Sequence, residues 1–391
     1  MISVRYSLLL IKNNSMLKLS IYAILFFSLF FYSCKNEEEK RELKTNESKD
    51  TELQTSQKSN TVNPEDLLKQ QPEEIETPEG MVWVSGVKFT MGASEGDPYA
   101  LPREKPAHPV AVDGFFIDQT EVTNAQFKKF TAETGYVTVA ERPIDWEQMK
   151  KQLPPGTPKP HDSVLQPGSL IFKKELENIA NLNDYGQWWE WKTGADWKHP
   201  QGPQSDIEGK DNYPVVHIAY EDALAYASWA GRDLPTEAEW EAAAHGKLHG
   251  GIYTWGDDES KLNKEANTWQ GEFPVKNIPE DGYKYAAPVK SFPPNSLNLY
   301  DMAGNVWEFT KDNFNTRYYQ DALQQGELLN PKGSTTYFNE DNPYQNEKVI
   351  KGGSFLCNKS YCASYRISSR MGTSMDSGTD HLGFRTVKRV K

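Results

Sequence analysis

The sequence predicts one loop-rich globular domain in which short strands come first and short helices follow. Three observations predict it. Aromatic residues make up 12% of the 391-residue chain, with 11 Trp and 24 Pro, which suits an irregular core better than long helices. Strand patterns and capped helix starts crowd between residues 80 and 245, and a stretch dense in Gly, Pro, Asn and Asp follows. No internal repeat and no second linker divides that span.

The elements follow in chain order. GMVWVSGVKFTMG (80–92) alternates apolar residues with glycines and reads as strand, turn and strand. DGFFIDQTEV (113–122) reads as another strand. It leads into Thr123, which with Gln126 forms a capping box; Phe127 and Phe130 face inward, and Gly135 stops the helix. A second helix covers EDALAYASWAG (221–231), closed by Gly231. Pro235 opens a third, with Thr236 and Glu239 as its box and Trp240 facing inward.

The N-terminus has a different character. Residues 1–33 carry Arg5, Lys12 and Lys18 and no acid, and the apolar run Ile21 to Tyr32 ends at Ser33-Cys34. This pattern describes a bacterial lipoprotein signal peptide, cut before Cys34 with a lipid attached there. Met16 is an alternative start that gives a tighter signal, whereas Phe31 and Tyr32 are bulky for the positions before the cut. The apolar run is too short for an uncut anchor, which needs roughly 20 residues. Residues 34–79 hold no aromatic and bury too little to offset ordering entropy, so they read as a disordered tether. Glu37 to Glu39 read either as a surface-export signal or as a solvated charge run. The chain is therefore expected in a bacterial cell envelope, lipid-anchored at the periplasmic face or the outer-membrane surface. Net charge is −12 and no basic stretch interleaves with aromatics, which excludes a nucleic-acid footprint.

Chemistry concentrates near the other end. Beyond Cys34, only Cys357 and Cys362 occur, so neither a disulfide framework nor paired zinc motifs are present. The phosphate-binding, dinucleotide, zinc-protease and serine-hydrolase motifs are absent too. Thiols five residues apart point about 140° apart on a helix and to opposite faces on a strand. They converge only if Asn358 to Tyr361 turn, and Gly352-Gly353 give the backbone freedom for close approach. Converged, they make either a disulfide, stable in an exported protein, or a soft ligand pair for Cu(I) or zinc. A four-ligand zinc site lacks its other members.

Two oxygen-rich stretches suit a hard cation weakly: Asp301, Gly304, Val306 and Glu308, and Asn267-Thr268 with Asp281 and Tyr283. His245 and His249 have helical metal-pair spacing, but Gly246 separates them and no third ligand follows, so they read as helix-end residues.

MVWVSGVKFTMG, DGFFIDQTEVTNAQF, YPVVHIAYEDALAYASWAGRDLPTEAEWE and LYDMAGNVWEFT resemble, in order, the signatures of the formylglycine-generating enzyme (sulfatase-modifying factor) family. The resemblance covers 80–391. It implies a compact, irregular α+β single domain, distantly C-type-lectin-like and low in regular secondary structure. GGSFLCNKSYC is similar to the family's catalytic segment, which implies that Cys357 and Cys362 hold Cu(I). A cysteine in a Cys-x-Pro-x-Arg segment of an unfolded or nascent sulfatase would join them. With O2, a hydrogen leaves its Cβ, and the thioaldehyde hydrolyses to formylglycine. Relatives without this chemistry generally lack one or both thiols.

The resemblance also makes Ser354 the active-site serine and Trp307 a pocket wall, and sets Tyr361 and Arg370 beside thiols and substrate; the blander readings are Trp307 as a core aromatic and Arg370 as an ion-pair residue. It turns both oxygen-rich stretches into structural Ca²⁺ sites. Asn358 and Thr373 depart from a frequent His and Asn, and Ala227, Ala244, Ile367 and Thr386 stand where vertebrate members carry disulfides. The expected protein is a monomeric, O2-dependent copper oxidoreductase. A non-catalytic envelope scaffold of the gliding-associated type is the alternative, opposed by the intact thiols. An iron-dependent C–S bond-forming relative would need a His-rich N-terminal domain.

Overall fold

The computed structural model describes residues 62–390 apart from Glu175, Asn183 and His249. The leader, Cys34 with its expected lipid, and the tether as far as residue 61 lie outside the described residues. Strands β1 (Met81–Val84), β2 (Val87–Met91), β3 (His108–Val112) and β4 (Phe115–Asp118) come first. Helices α1 (Asn124–Thr134) and α2 (Trp146–Met149) precede the hairpin of β5 (Gly168–Phe172) and β6 (Trp189–Thr193). Then follow α3 (Tyr220–Trp229), α4 (Glu237–His245), α5 (Leu262–Glu265) and the small pair β7 (Gly271–Glu272) and β8 (Lys276–Asn277). The last third holds β9 (Trp307–Asn313), α6 (Tyr318–Gln325), β10 (Leu328–Leu329), β11 (Glu347–Lys351), β12 (Met371–Ser374), β13 (Leu382–Gly383) and β14 (Val387–Arg389). Regular structure is modest, and helices and small sheets mix in one domain.

The capped helices form where the sequence places them. Thr123 accepts from the Gln126 N–H while Gln126 reaches back to the Thr123 N–H, and Gly135 closes α1 at φ 67°. Phe127 and Phe130 are buried from that helix. Thr236 and Glu239 cap α4 in the same way, and Trp240 is fully buried. The strand-turn-strand over 80–92 is present, but its strands do not pair with each other. β1 joins β4 and β14, whereas β2 joins β3 and β10.

Two expectations change. The domain begins before Gly80. Leu67 is buried, and the Leu68 carbonyl accepts from Gly86 and Gly114 at 2.9 and 2.8 Å. The Trp83 indole donates to the Lys69 carbonyl at 3.1 Å. Gly114 has to be glycine, since a Cβ there would lie 2.4 Å from the Leu68 oxygen. Hydrogen bonds to main-chain carbonyls, with one buried leucine, hold this strap, and composition does not register them. The second change lies beyond His245, where the loop expectation misses a four-stranded sheet ordered β12-β11-β9-β13.

That sheet frames the cavity described next. Lys351 at the end of β11 pairs with Glu308, and Leu382 of β13 pairs with Trp307 at the start of β9. One end of the sheet therefore gathers Trp307, the Gly352-Gly353-Ser354 turn and His381.

Candidate active site

The two thiols meet. The Asn358 carbonyl accepts from the N–H groups of Tyr361 and Cys362 (both 2.9 Å) and of Ala363 (3.1 Å), closing the turn that convergence demands. The Asn358 side chain locks it: Oδ1 accepts from the Ser360 N–H and hydroxyl, and Nδ2 donates to the Trp269 carbonyl at 2.9 Å. Gly353 has φ 74°, and a Cβ there would lie 2.8 Å from the Ser364 backbone, so only glycine lets the two strands of the loop approach. Both cysteines are free thiols; Cys357 is buried and Cys362 half-buried.

They touch by a hydrogen bond and separate in acidity. Burial, then the bond with Cys362, pushes the Cys357 thiol well above its ordinary value. Burial also opposes ionisation of Cys362, yet hydrogen bonds from Cys357 and Ser364 outweigh it and leave that thiol below the ordinary value. A donor thiol beside an acceptor sulfur is the result.

Both cysteines line a cavity of about 1030 Å³ with Ser354, Trp307, Tyr361 and His381. Tyr361, 37% exposed, stacks on Phe273 at 4.5 Å and meets Trp188 edge-on at 6.1 Å. The lining also includes the charged residues Arg103, Arg317, Glu340 and Asp341. Five of the six residues expected at the site therefore come together.

The sixth does not. Arg370 is fully buried and donates to both oxygens of Glu237 at 2.7 and 2.9 Å and to the Asn315 carbonyl at 3.1 Å. Tyr319 and Phe314 lie against its guanidinium. The expectation that Arg370 sits beside the substrate is corrected in favour of its alternative reading: buried away from the cavity and bonded to Glu237, it is an internal ion-pair residue. Of the departures, Asn358 holds the turn, and Thr373 is buried in β12 opposite Lys348. His245 ends α4 with its ring edge-on to Phe89 at 5.7 Å; His249 lies outside the described residues.

Sequence reading missed His381 and the β5–β6 hairpin. Nδ1 of His381 lies 2.9 Å from the Ser354 hydroxyl. Burial, with a smaller push from His217, holds its pKa down at about 3. The aromatic cluster WWEW (188–191) was the available sign of the hairpin, and it brings Trp188 and Trp189 to the cavity.

The oxygen-rich stretches lie side by side, since Asn267 bridges to Gly304, where a Cβ would lie 2.2 Å from the Asn267 oxygen. At the first, Asn267 Oδ1 is buried without a partner, and Asp281 accepts from the N–H groups of Thr268 and Tyr283. That donor set fits a hard cation. At the second, Glu308 does not fit as a ligand, because both its oxygens bind Arg385 at 2.6 Å and Trp240 adds a third bond. The open oxygen there is Oε2 of Glu121, buried and unpartnered. Asp301 is raised to about 6, first by burial and further by repulsion from Glu308.

Comparison with known proteins agrees with this geometry. Residues 64–390 match the model of the sulfatase-modifying factor enzyme 1-like domain. The chain is 42% identical over 309 residues to the formylglycine-generating enzyme of Mycobacterium tuberculosis, covering 78% of this chain and 97% of that protein. It is 40% identical over 306 residues to the mouse formylglycine-generating enzyme, covering 78% and 74%. A second mouse protein, named inactive C-alpha-formylglycine-generating enzyme 2, is 36% identical over 312 residues, covering 78% and 84%. Among solved structures, PvdO from Pseudomonas aeruginosa shares the fold at TM-score 0.51 and 24% identity, covering 79% and 94%. The chain belongs to the sulfatase-modifying factor enzyme family.

Proposed function

We propose that this chain is an active formylglycine-generating enzyme. It converts a cysteine in a Cys-x-Pro-x-Arg segment of a sulfatase to formylglycine with O2, using Cu(I) held by Cys357 and Cys362. The observation that carries this reading is the pair of unbridged cysteines meeting across the Asn358–Tyr361 turn at the cavity. Overall likeness does not decide it, because a relative named inactive is 36% identical. Two soft donors fit Cu(I). Among the described residues no group of three or more His, Cys, Asp or Glu gathers to complete a zinc site.

When bound, copper supplies the one-electron chemistry that lets O2 react with a thiolate. The chain's residues do the rest. Cys362, the more acidic sulfur, is the readier anionic donor, and Cys357 gives up its proton last. Trp307 and Tyr361 wall the cavity with aromatic surface from which a bound peptide would displace water. Oxidation removes two electrons and two protons from the substrate's Cβ–S unit, and water then replaces sulfur as hydrogen sulfide. O2 takes four electrons to reach water, so a thiol reductant supplies the other two.

Structural Ca²⁺ at Asn267, Thr268, Asp281 and Tyr283 belongs to the same proposal. So does a second ion at Asp301, Gly304 and Val306, with Glu121 in place of Glu308. On its leader pattern the chain is further proposed to be lipidated at Cys34. Among the described residues, no helix is long and apolar enough to cross a membrane.

The test is direct. The full chain in detergent, with Cu(I), oxygen, a thiol reductant and a Cys-x-Pro-x-Arg peptide, converts the cysteine to an aldehyde seen by mass spectrometry. No aldehyde under these conditions would favour the scaffold reading.

A further inference from the structure

His381 is the buried ring of the cavity that the proposed reaction leaves without a task. It is held from several sides. The Trp307 N–H donates to its carbonyl at 2.9 Å, and its neighbour Leu382 pairs with Trp307. Its ring packs against Trp189 at 4.9 Å and Phe355 at 6.3 Å. Nδ1 faces the Ser354 hydroxyl at 2.9 Å.

Hydrogen-bond accounting fixes the direction of that contact. Ser354 is fully buried, and its oxygen already accepts from the Leu356 N–H at 3.2 Å. The hydroxyl proton has one described acceptor, Nδ1 of His381. If Nδ1 carried the proton instead, a buried O–H would go unmade, at about 1–3 kcal/mol. The ring is neutral at working pH, so Nδ1 accepts and Nε2 carries the hydrogen. Nε2 has no partner among the described residues and is not among the fully buried unpartnered atoms, and His381 lines the cavity with 8% of its surface exposed. Ser354 itself is 0% exposed.

We propose that the pair works in series: Ser354 locks the tautomer of His381, and the Nε2–H of His381 is the donor that meets an acceptor on the bound peptide. The inference rests on the proposed peptide oxidation for its ligand, a polypeptide carbonyl being the acceptor such a chain brings. Ser354 is then a positioning residue that acts through the ring. The contact also fixes where the peptide backbone lies relative to Trp307, whose N–H is bonded to the same residue.

Amide variants separate the two ring nitrogens. In His381→Gln the terminal NH₂ reproduces the Nε2–H donor; in His381→Asn the amide oxygen can stand in for the Nδ1 acceptor, but no donor reaches the place of Nε2. Binding is read by fluorescence titration with a Cys-x-Pro-x-Arg peptide whose cysteine is replaced by serine, so no turnover is needed. His381→Asn and His381→Phe weaken binding about tenfold, the loss of one desolvated hydrogen bond. His381→Gln restores it to within about threefold. Melting temperatures of the Asn and Gln variants match each other, which separates contact from folding. Imidazole ¹⁵N NMR of the full chain shows Nε2 protonated and Nδ1 bare, and Ser354→Ala gives mixed tautomers.

A protonated Nδ1 overturns the proposal, as does His381→Asn binding like wild type while His381→Gln does not. Peptide binding with this pattern but no aldehyde in the turnover assay sinks the oxidation and leaves the dyad standing. The reverse, turnover with His381→Phe equal to wild type, sinks the dyad alone.

Discussion

The thiol turn and the arginine run behind it are neighbours in the chain and are built on opposite physics. From Cys357 to Cys362 the chain folds on its own backbone, with one asparagine satisfying the turn, and it presents two sulfurs to a cavity. From Arg366 to Arg370 the same segment dives inward. Arg366 meets Asp97 and Glu104, and Arg370 meets Glu237, with every side chain in these pairs almost wholly removed from water. A local turn makes the reactive part, and distant charges pin the part that holds it. Reactivity and anchoring are thereby separated within one short segment, Cys357 to Arg370.

Breaking the turn side has the largest effect on activity. Cys362→Ser removes one of two sulfurs that act as a unit, and aldehyde formation falls at least about a thousandfold. Stability changes by about 1 kcal/mol or less, because the site keeps its shape. Aldehyde yield and urea unfolding measured on the same preparation check both halves; a large loss of stability would mean the turn is an anchor after all.

The arginine side gives the mirror result. Arg370→Ala leaves Glu237 buried without its main partner and costs about 3–5 kcal/mol in urea unfolding. Replacing both residues, Arg370→Met with Glu237→Leu, recovers most of that loss, since neither leaves a buried charge. If the double variant is no better than the single one, the pair does more than neutralise itself.

The smallest effect is electrostatic. Asp312 lies against the same cluster, and burial, then repulsion from Glu237, raises it to about 7. Its folded pKa exceeds its unfolded one, so the folded state holds the proton more tightly and stability falls as pH rises from about 4 to about 7. Asp312→Asn removes up to about one proton's worth of that slope, read from urea midpoints at several pH values. An unchanged slope would place the titration elsewhere.

The same contrast explains what was legible in the sequence. The thiol turn was readable because five-residue spacing allows convergence one way only, and the caps at Thr123 and Thr236 were readable because their partners lie three residues on. For Arg370 an ion pair was legible only as an alternative and its partner not at all, because Glu237 is 133 residues away. β11 also hid from pattern reading. All five residues of Glu347–Lys351 are buried, and Lys351 pairs internally with Glu241 at 2.8 Å, so no apolar alternation marks the strand. His381 escaped for a related reason: it acts on Ser354, 27 residues back, and a lone histidine announces nothing.

The strap at Leu67–Lys69 has a consequence for distance. It moves the start of the domain from Gly80 back at least to Val62, so at most about 28 residues separate Cys34 from the domain. Even fully extended, such a length covers no more than ~100 Å. With the proposed lipid on Cys34, the point where the chain enters the domain stays within that distance of the bilayer. A sulfatase chain reaching the cavity would therefore be met in a shell near the membrane, and shortening the leash by deletion would draw that shell inward.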